Sequence, residues 1–101
     1  MARLIWTRNA ISDLNEIAEY IALENPRAAK NLAKRIYSHV KQLTKHPYSG
    51  PVVPELEGLR YRQIVEGPCR VFYEVRNKTV VILHVLRSER LLRIGNLELA
   101  E

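Results

Sequence analysis

The chain of 101 residues contains one cysteine, Cys69, so it cannot form an internal disulfide and a cysteine-based metal site is not expected. No apolar run is long enough to cross a bilayer, and the N-terminus lacks the hydrophobic segment of a signal peptide. Linkers, internal repeats and low-complexity tracts are missing as well. We therefore expect a single domain over residues 1–101, cytoplasmic, with no cofactor and no metal.

Acidic residues are outnumbered, and the net charge of +5 with a pI near 9.7 indicates acidic partners such as nucleic acid, an acidic peptide or an acidic protein surface. Residues 60–94 hold eight basic residues against three glutamates, and seven of the eight are arginines. A planar guanidinium suits bidentate contact with carboxylate or phosphate. We therefore predict that this part of the chain displays an arginine-bearing binding face.

Two helices are predicted in the first half of the chain. Residues 2–6 form a short apolar run that predicts a strand, and Thr7 can cap a helix whose apolar residues recur at helical spacing. Asn25-Pro26 then supplies the cap and first residue of a second helix, with an apolar stripe that ends at Leu43. So short a connection predicts an antiparallel helix hairpin, and each stripe is wide enough to cover one face of a sheet.

The second half of the chain predicts strands. A proline-rich loop at residues 47–54 is followed by a strand at residues 59–65 and by a hairpin over residues 69–90. Ser88 is a candidate cap for a short helix through Leu97. The predicted fold class is α+β in the order β-α-α-β-β-β, with the two helices packed on one face of an antiparallel sheet.

The central hairpin turns at Asn77-Lys78, where asparagine readily takes the positive φ of a tight turn. If these two residues form the whole loop, Val71 opposes His84. The same register places Arg70 and Arg87 together on the other face, at the open end of the hairpin. That face would carry an apolar centre, whose predicted members are Phe72, Val81 and Leu83.

Short segments spread over residues 3–91 form an ordered series. They are Ile5-Trp6-Thr7 with Asp13-Leu14, Asn25-Pro26 with Ala28-Ala29, His46-Pro47 with Gly50, Leu59-Arg60, Arg70-Val71-Phe72-Tyr73, and Val81-Ile82-Leu83-His84-Val85-Leu86 ending at Arg90. In order and spacing this series resembles the RelE/ParE toxin superfamily of bacterial type II toxin–antitoxin modules, and its ParE branch more closely. The resemblance implies two N-terminal helices on an antiparallel sheet and a toxin held inactive by a cognate antitoxin.

The resemblance leaves two activities open, because the fold is shared. ParE-like toxins are associated with inhibition of DNA gyrase, and RelE-like toxins cut messenger RNA in the ribosomal A site. Metal-independent RNA cleavage needs a base for the 2′-hydroxyl, an acid for the leaving oxygen and cations for the charged phosphorane. By the resemblance, Arg62, Arg70, Arg87 and Arg90 would serve as cations, and the family's Tyr or His position falls near Ile94. No His or Tyr follows His84, which is therefore the candidate acid or base. The predicted register turns His84 away from Arg70, which leaves no convincing proton carrier.

We therefore favour a gyrase inhibitor over a ribosome-dependent ribonuclease, with a degenerate toxin that survives only as a binding partner as a third possibility. Where many ParE-like chains have His-Gly at the end of the last strand, this one has Arg87-Ser88. The expected partners are gyrase, or the ribosome and messenger RNA, and an antitoxin with an acidic or amphipathic segment in a hetero-oligomer. The residues predicted to bind target or antitoxin are Arg60, Arg62, Arg70, Phe72, Leu83, Arg87 and Arg90.

Overall fold

The computed structural model describes residues 1–56 and 58–87. Its elements are β1 (Arg3–Trp6), α1 (Arg8–Ala22), α2 (Pro26–Gln42), β2 (Arg62–Glu66), β3 (Cys69–Arg76) and β4 (Thr79–Arg87), with one turn of 3₁₀ helix at Pro54–Leu56. This order confirms the predicted β-α-α-β-β-β fold. The helix predicted from Ser88 to Leu97 lies outside the described residues, and so does Arg90.

The four strands form one mixed sheet in the order β1-β4-β3-β2. β2, β3 and β4 pair antiparallel as expected, but β1 pairs parallel to β4, with Arg3 opposite Thr79. A parallel pair needs a long crossover, and the helix hairpin and the intervening strands supply it. The expectation of a wholly antiparallel sheet is wrong at this edge, because the composition of a four-residue strand does not encode its direction.

Side chains at the predicted caps begin both helices. The Thr7 hydroxyl accepts a hydrogen bond from the backbone N–H of Ala10 at 3.2 Å, and the Asn25 side-chain oxygen accepts one from Ala28 at 3.0 Å. The Thr7 hydroxyl also donates to the Ile82 carbonyl at 2.7 Å. The residue that starts α1 therefore also attaches it to β4.

Both helices cover the same face of the sheet, here called the helix side. Its buried core joins the two helical stripes to alternate residues of the strands. The core residues are Ala10, Leu14, Leu32, Ile36, Val40, Leu43, Ile64, Cys69, Val71, Tyr73, Val80, Ile82 and Val85. Cys69 is fully buried here, as expected for a core thiol.

The opposite face, here called the loop side, is covered by the segment between α2 and β2. Val53 and Leu56 from that segment are buried against Phe72, Val81 and Leu83. Phe72 and Leu83 have 0% exposed surface. The expected accessible apolar centre is therefore wrong, because the loop brings its own apolar residues and closes over it.

Candidate functional site

The register of the central hairpin decides where the candidate residues lie. Its two-residue turn is confirmed, since Asn77 and Lys78 have φ of 45° and 62°. Pairing follows the prediction as far as Tyr73 opposite Ile82. The register then shifts, and His84 opposes Phe72 where alternation predicts Val71. β4 thus contains one extra residue, a β-bulge.

The bulge separates the two arginines that were predicted to converge. Beyond it Arg70 opposes Leu86 on the loop side, and Arg87 opposes Cys69 on the helix side. Because side chains alternate with a period of two, one extra residue moves every later side chain to the other face. The prediction that Arg70 and Arg87 share a face is wrong.

Arg70 is held by neighbours on the loop side. Its two terminal nitrogens donate to the two carboxylate oxygens of Glu55, each at 2.7 Å, and its Nε donates to Gln63 at 2.8 Å. The guanidinium lies 4.9 Å from the centre of the Phe72 ring. Only 12% of the side chain is exposed. Arg70 thus stabilises the fold by tying the loop to β3.

A second cluster of charges lies on the same face. Glu74 has 0% exposed surface, and its carboxylate accepts a hydrogen bond from Arg60 Nε at 2.7 Å and contacts the guanidinium of Arg76. A buried carboxylate needs such cations, since an unpaired buried charge is strongly destabilising. Arg60 remains 74% exposed. It can therefore touch a partner, although its charge is partly compensated.

Arg62 lies at the other edge, where its guanidinium fixes the loop that follows α2. It donates to the backbone carbonyls of Tyr48 at 3.1 Å and Gly50 at 2.8 Å, and it lies 5.1 Å from the centre of the Tyr48 ring. Its side of β2 is the helix side, since its partner in the sheet is Tyr73. Arg62 therefore does not join Arg70.

Tyr73 connects the core to the same loop. Its hydroxyl donates to the Pro47 carbonyl at 2.8 Å and accepts from the Gly50 N–H at 3.0 Å. Burial raises the pKa of the Tyr73 phenol, and the hydrogen bond from Gly50 and the charge of Arg62 partly oppose that rise. A Cβ on Gly50 would lie 2.5 Å from the Gln63 carbonyl, so only glycine permits this close packing.

His84 faces α1, where its ring contacts the carboxylate of Asp13. The same carboxylate accepts the backbone N–H of Val85 at 3.0 Å. β1 pairs with β4 only as far as Ile82, so Asp13 serves as acceptor for a strand that has lost its neighbour. His84 is a partly buried strand residue, as predicted. Its sheet partner is Phe72, which lies on the same side of β3 as Arg70, so the predicted register that turned His84 toward Val71 and away from Arg70 is wrong.

Arg87 lies beside α1. Its guanidinium is 5.4 Å from the centre of the Tyr20 ring, at the edge of an open depression of about 360 Å³ that Glu16 also lines. The predicted arginine face is thus divided between two sides of the sheet, with Arg60 and Arg70 on one and Arg62 and Arg87 on the other. The single arginine platform inferred from the sequence is wrong for the residues that the structure describes.

Within residues 1–56 and 58–87, no three His, Cys, Asp or Glu side chains are grouped to hold a metal ion. No helix there is long and apolar enough to span a bilayer.

A denser basic surface, not predicted from the sequence, lies on α2. The 17 residues of this helix hold five lysines and arginines and no acidic residue, an excess equal to that of residues 60–94 in about half the length. The outward side chains of this helix are exposed. The sequence does indicate this surface, because the predicted second helix contains no aspartate or glutamate.

Comparison with known proteins places these observations in a family. The sequence model described as "ParE toxin of type II toxin-antitoxin system, parDE" matches residues 4–92. The chain belongs to the ParE toxin family. It is therefore a toxin of the type II toxin–antitoxin class, and the predicted superfamily and branch are confirmed.

Of two curated relatives, one carries a RelE name and the other carries neither branch name. Toxin RelE2 of Caulobacter vibrioides is 32% identical over 92 residues, which cover 90% of this chain and 100% of the relative. Putative toxin Y4kP of Sinorhizobium fredii is 30% identical over 88 residues, 87% of this chain and 90% of the relative. The names alone therefore do not separate a ParE-like from a RelE-like activity.

Solved structures give the same picture. A chain of the chromosomal ParDE toxin–antitoxin system from P. aeruginosa matches with a TM-score of 0.74 and 28% identity, over 86% of this chain and 96% of that one. A chain of the RelBE2 toxin–antitoxin complex from Mycobacterium tuberculosis matches with a TM-score of 0.60 and 22% identity, over 85% and 90%. The second likeness supports the shared fold alone.

Proposed function

We propose that this ParE-family toxin arrests growth by binding DNA gyrase and acts without cutting RNA. The observation that carries the proposal is the separation of the groups that RNA cleavage would need. Arg70 lies on the loop side, Arg87 lies on the helix side, and the His84 ring is engaged with Asp13 of α1. A proton carrier must come within about 3 Å of the reacting hydroxyl while cations reach the same phosphate.

The partners of these groups support the proposal further. The Arg70 guanidinium donates hydrogen bonds to Glu55 and Gln63, and His84 contacts Asp13. To act on RNA, each would first have to leave a contact that stabilises the fold. A toxin that works by occupying a protein surface needs no such rearrangement, because affinity can come from shape and charge.

An antitoxin with an acidic, amphipathic segment is the proposed inhibitor, in a hetero-oligomer. The similar solved structures belong to toxin–antitoxin systems. Ile11 and Tyr20 on α1 and Leu23 at its C-cap expose apolar surface, and Arg87 lies beside Tyr20. A segment that is disordered when free can order as it buries such apolar surface. Because gyrase is the proposed target, the toxin is also proposed to act in the cytoplasm.

The test begins with induction of the toxin in cells, with and without its antitoxin. If growth stops only without the antitoxin, purified toxin is added to gyrase in a supercoiling assay and to an in vitro translation reaction followed by primer extension. We expect inhibited supercoiling and intact message. Cleaved message with normal supercoiling would establish the ribonuclease, and unimpaired growth would identify a degenerate toxin.

A variant of His84 sharpens the distinction. His84→Gln keeps a side chain that can hydrogen-bond to Asp13 but cannot carry a proton at neutral pH. A gyrase binder should keep its toxicity in this variant, within about twofold. Loss of toxicity with an unchanged melting temperature would indicate a proton-transfer role for His84 and contradict the proposal.

A further inference from the structure

The outward face of α2 carries a straight row of cations. Arg27, Lys34 and Lys41 are seven residues apart, and Lys30 lies between the first two. Two turns of an α-helix take close to seven residues, so these side chains project from the same side. All four residues are exposed, while Ile36 and Val40 on the opposite side of the helix are fully buried. We call these four residues the α2 cation row.

The charge of this row is uncompensated within the part of the chain that the structure describes. α2 contains no aspartate or glutamate. Within the described residues, none of the four side chains makes an ion pair or a side-chain hydrogen bond, in contrast to Arg60, Arg62 and Arg70. A row of cations without such contacts is available for an external polyanion.

The row lacks the features of a peptide groove or of a single-strand site. An amphipathic peptide helix needs apolar anchor positions, and the row presents only charged and polar side chains. Unpaired nucleic acid is bound by stacking on aromatic rings. The aromatic residue beside the row, Tyr37, is 47% exposed, but it packs on Trp6 with ring centres 5.0 Å apart, so part of its ring is already covered.

We propose that the α2 cation row binds the phosphate backbone of duplex DNA without reading its sequence. From Arg27 to Lys41 the helix rises about 21 Å, at 1.5 Å per residue. This rigid span matches a straight, regular polyanion, and B-DNA carries about one charge every 1.7 Å of its axis. The inference does not depend on whether gyrase or the ribosome is the target.

The experiment measures binding of the full-length toxin to a fluorescent 20-base-pair DNA duplex of arbitrary sequence by anisotropy, over a range of salt concentrations. For four neutralised phosphates, log K should fall with log salt with a slope of about −3 to −4. In the double variant Lys30→Glu, Lys34→Glu, we expect at least tenfold weaker binding and a slope smaller in magnitude by about 2.

The matched control is Arg3→Glu, Arg8→Glu, which changes net charge equally at two exposed residues outside α2. It should stay within about twofold of the wild type if the row is the binding surface. Equal losses in both double variants would show that only net charge matters and would overturn the proposal. So would tighter binding to single-stranded DNA or duplex RNA, or an unchanged affinity in the row variant. Circular dichroism melts confirm that both variants are folded.

Discussion

The two faces of the sheet are covered by different means. On the helix side, two regular stripes bury a continuous apolar core that includes Leu14 and Ile36. On the loop side, an irregular segment supplies the buried residues Val53 and Leu56, and two arginine–glutamate pairs join the segment to β3. The comparison teaches that arginines which look like a binding face in the sequence can instead be needed to hold a loop in place.

The difference has a physical origin. A helix satisfies its own backbone and needs only an apolar stripe to dock, whereas a loop must find partners for its backbone and charges in the rest of the protein. Here Arg62 and Tyr73 bind the loop carbonyls, and Arg70 binds Glu55. The helix side should therefore fail globally when damaged, and the loop side should fail locally.

The largest effect is expected from truncation on the helix side. Ile36→Ala should lower the free energy of unfolding by about 4 kcal/mol, since both helices and the sheet prevent the cavity from collapsing. Leu56→Ala on the loop side should cost about 2 kcal/mol, since the loop can settle. Urea denaturation measures both. Equal losses would break the comparison.

The next largest effect is expected at the Tyr73 hydroxyl, which links the helix-side core to the loop after α2. Tyr73→Phe should cost about 2 kcal/mol, because it leaves the buried N–H of Gly50 without an acceptor and the Pro47 carbonyl without a donor. Hydrogen exchange should become faster in the loop after α2 while the helices keep their protection. Unchanged exchange there would contradict the link.

A smaller effect is expected where β4 lacks its neighbour. Asp13→Ala should cost about 1 to 2 kcal/mol, because the N–H of Val85 loses its acceptor and His84 loses its partner. Glu16→Ala, on the same helix and exposed, is the control and should change the melting temperature little. The idea fails if both variants melt alike.

The ion pair on the loop side should matter less to global stability. Glu55→Gln should lower the free energy of unfolding by about 1 kcal/mol, a small value because the pair is partly exposed to solvent. The loss should be smaller at high salt, which screens the pair. Proteolysis near Val53 and Leu56 should accelerate more than global unfolding does. A cost as large as that of Ile36→Ala would mean that the two faces are not held differently.

The contribution of Tyr73 to the pH dependence of stability should appear only in base. Because burial raises the pKa of Tyr73 in the folded protein, its contribution is complete below the unfolded value of 10.0 and is lost as pH rises through the folded value. The unfolding free energy should therefore fall above pH 10. The Tyr73→Phe variant should show a smaller fall, and an identical pH profile would remove Tyr73 as its source.

Local signals explain which parts of the site could be predicted. Asn77-Lys78 and the caps Thr7 and Asn25 act within a few residues, so their identities predict their conformations. The position of Arg70 on β3 followed from the same reasoning. Its partners did not, because Glu55 lies 15 positions away across a loop that has no period.

The sequence by itself determined the two helices, the hairpin and the family, because caps, turns and apolar periods are properties of neighbouring residues. Only the tertiary structure decided the bulge before His84, the parallel pairing of β1 and the closure of the loop over Phe72. Each of these depends on contacts between segments far apart in the chain. A one-residue change of register is invisible in composition, yet it moved Arg87 to the opposite face from Arg70.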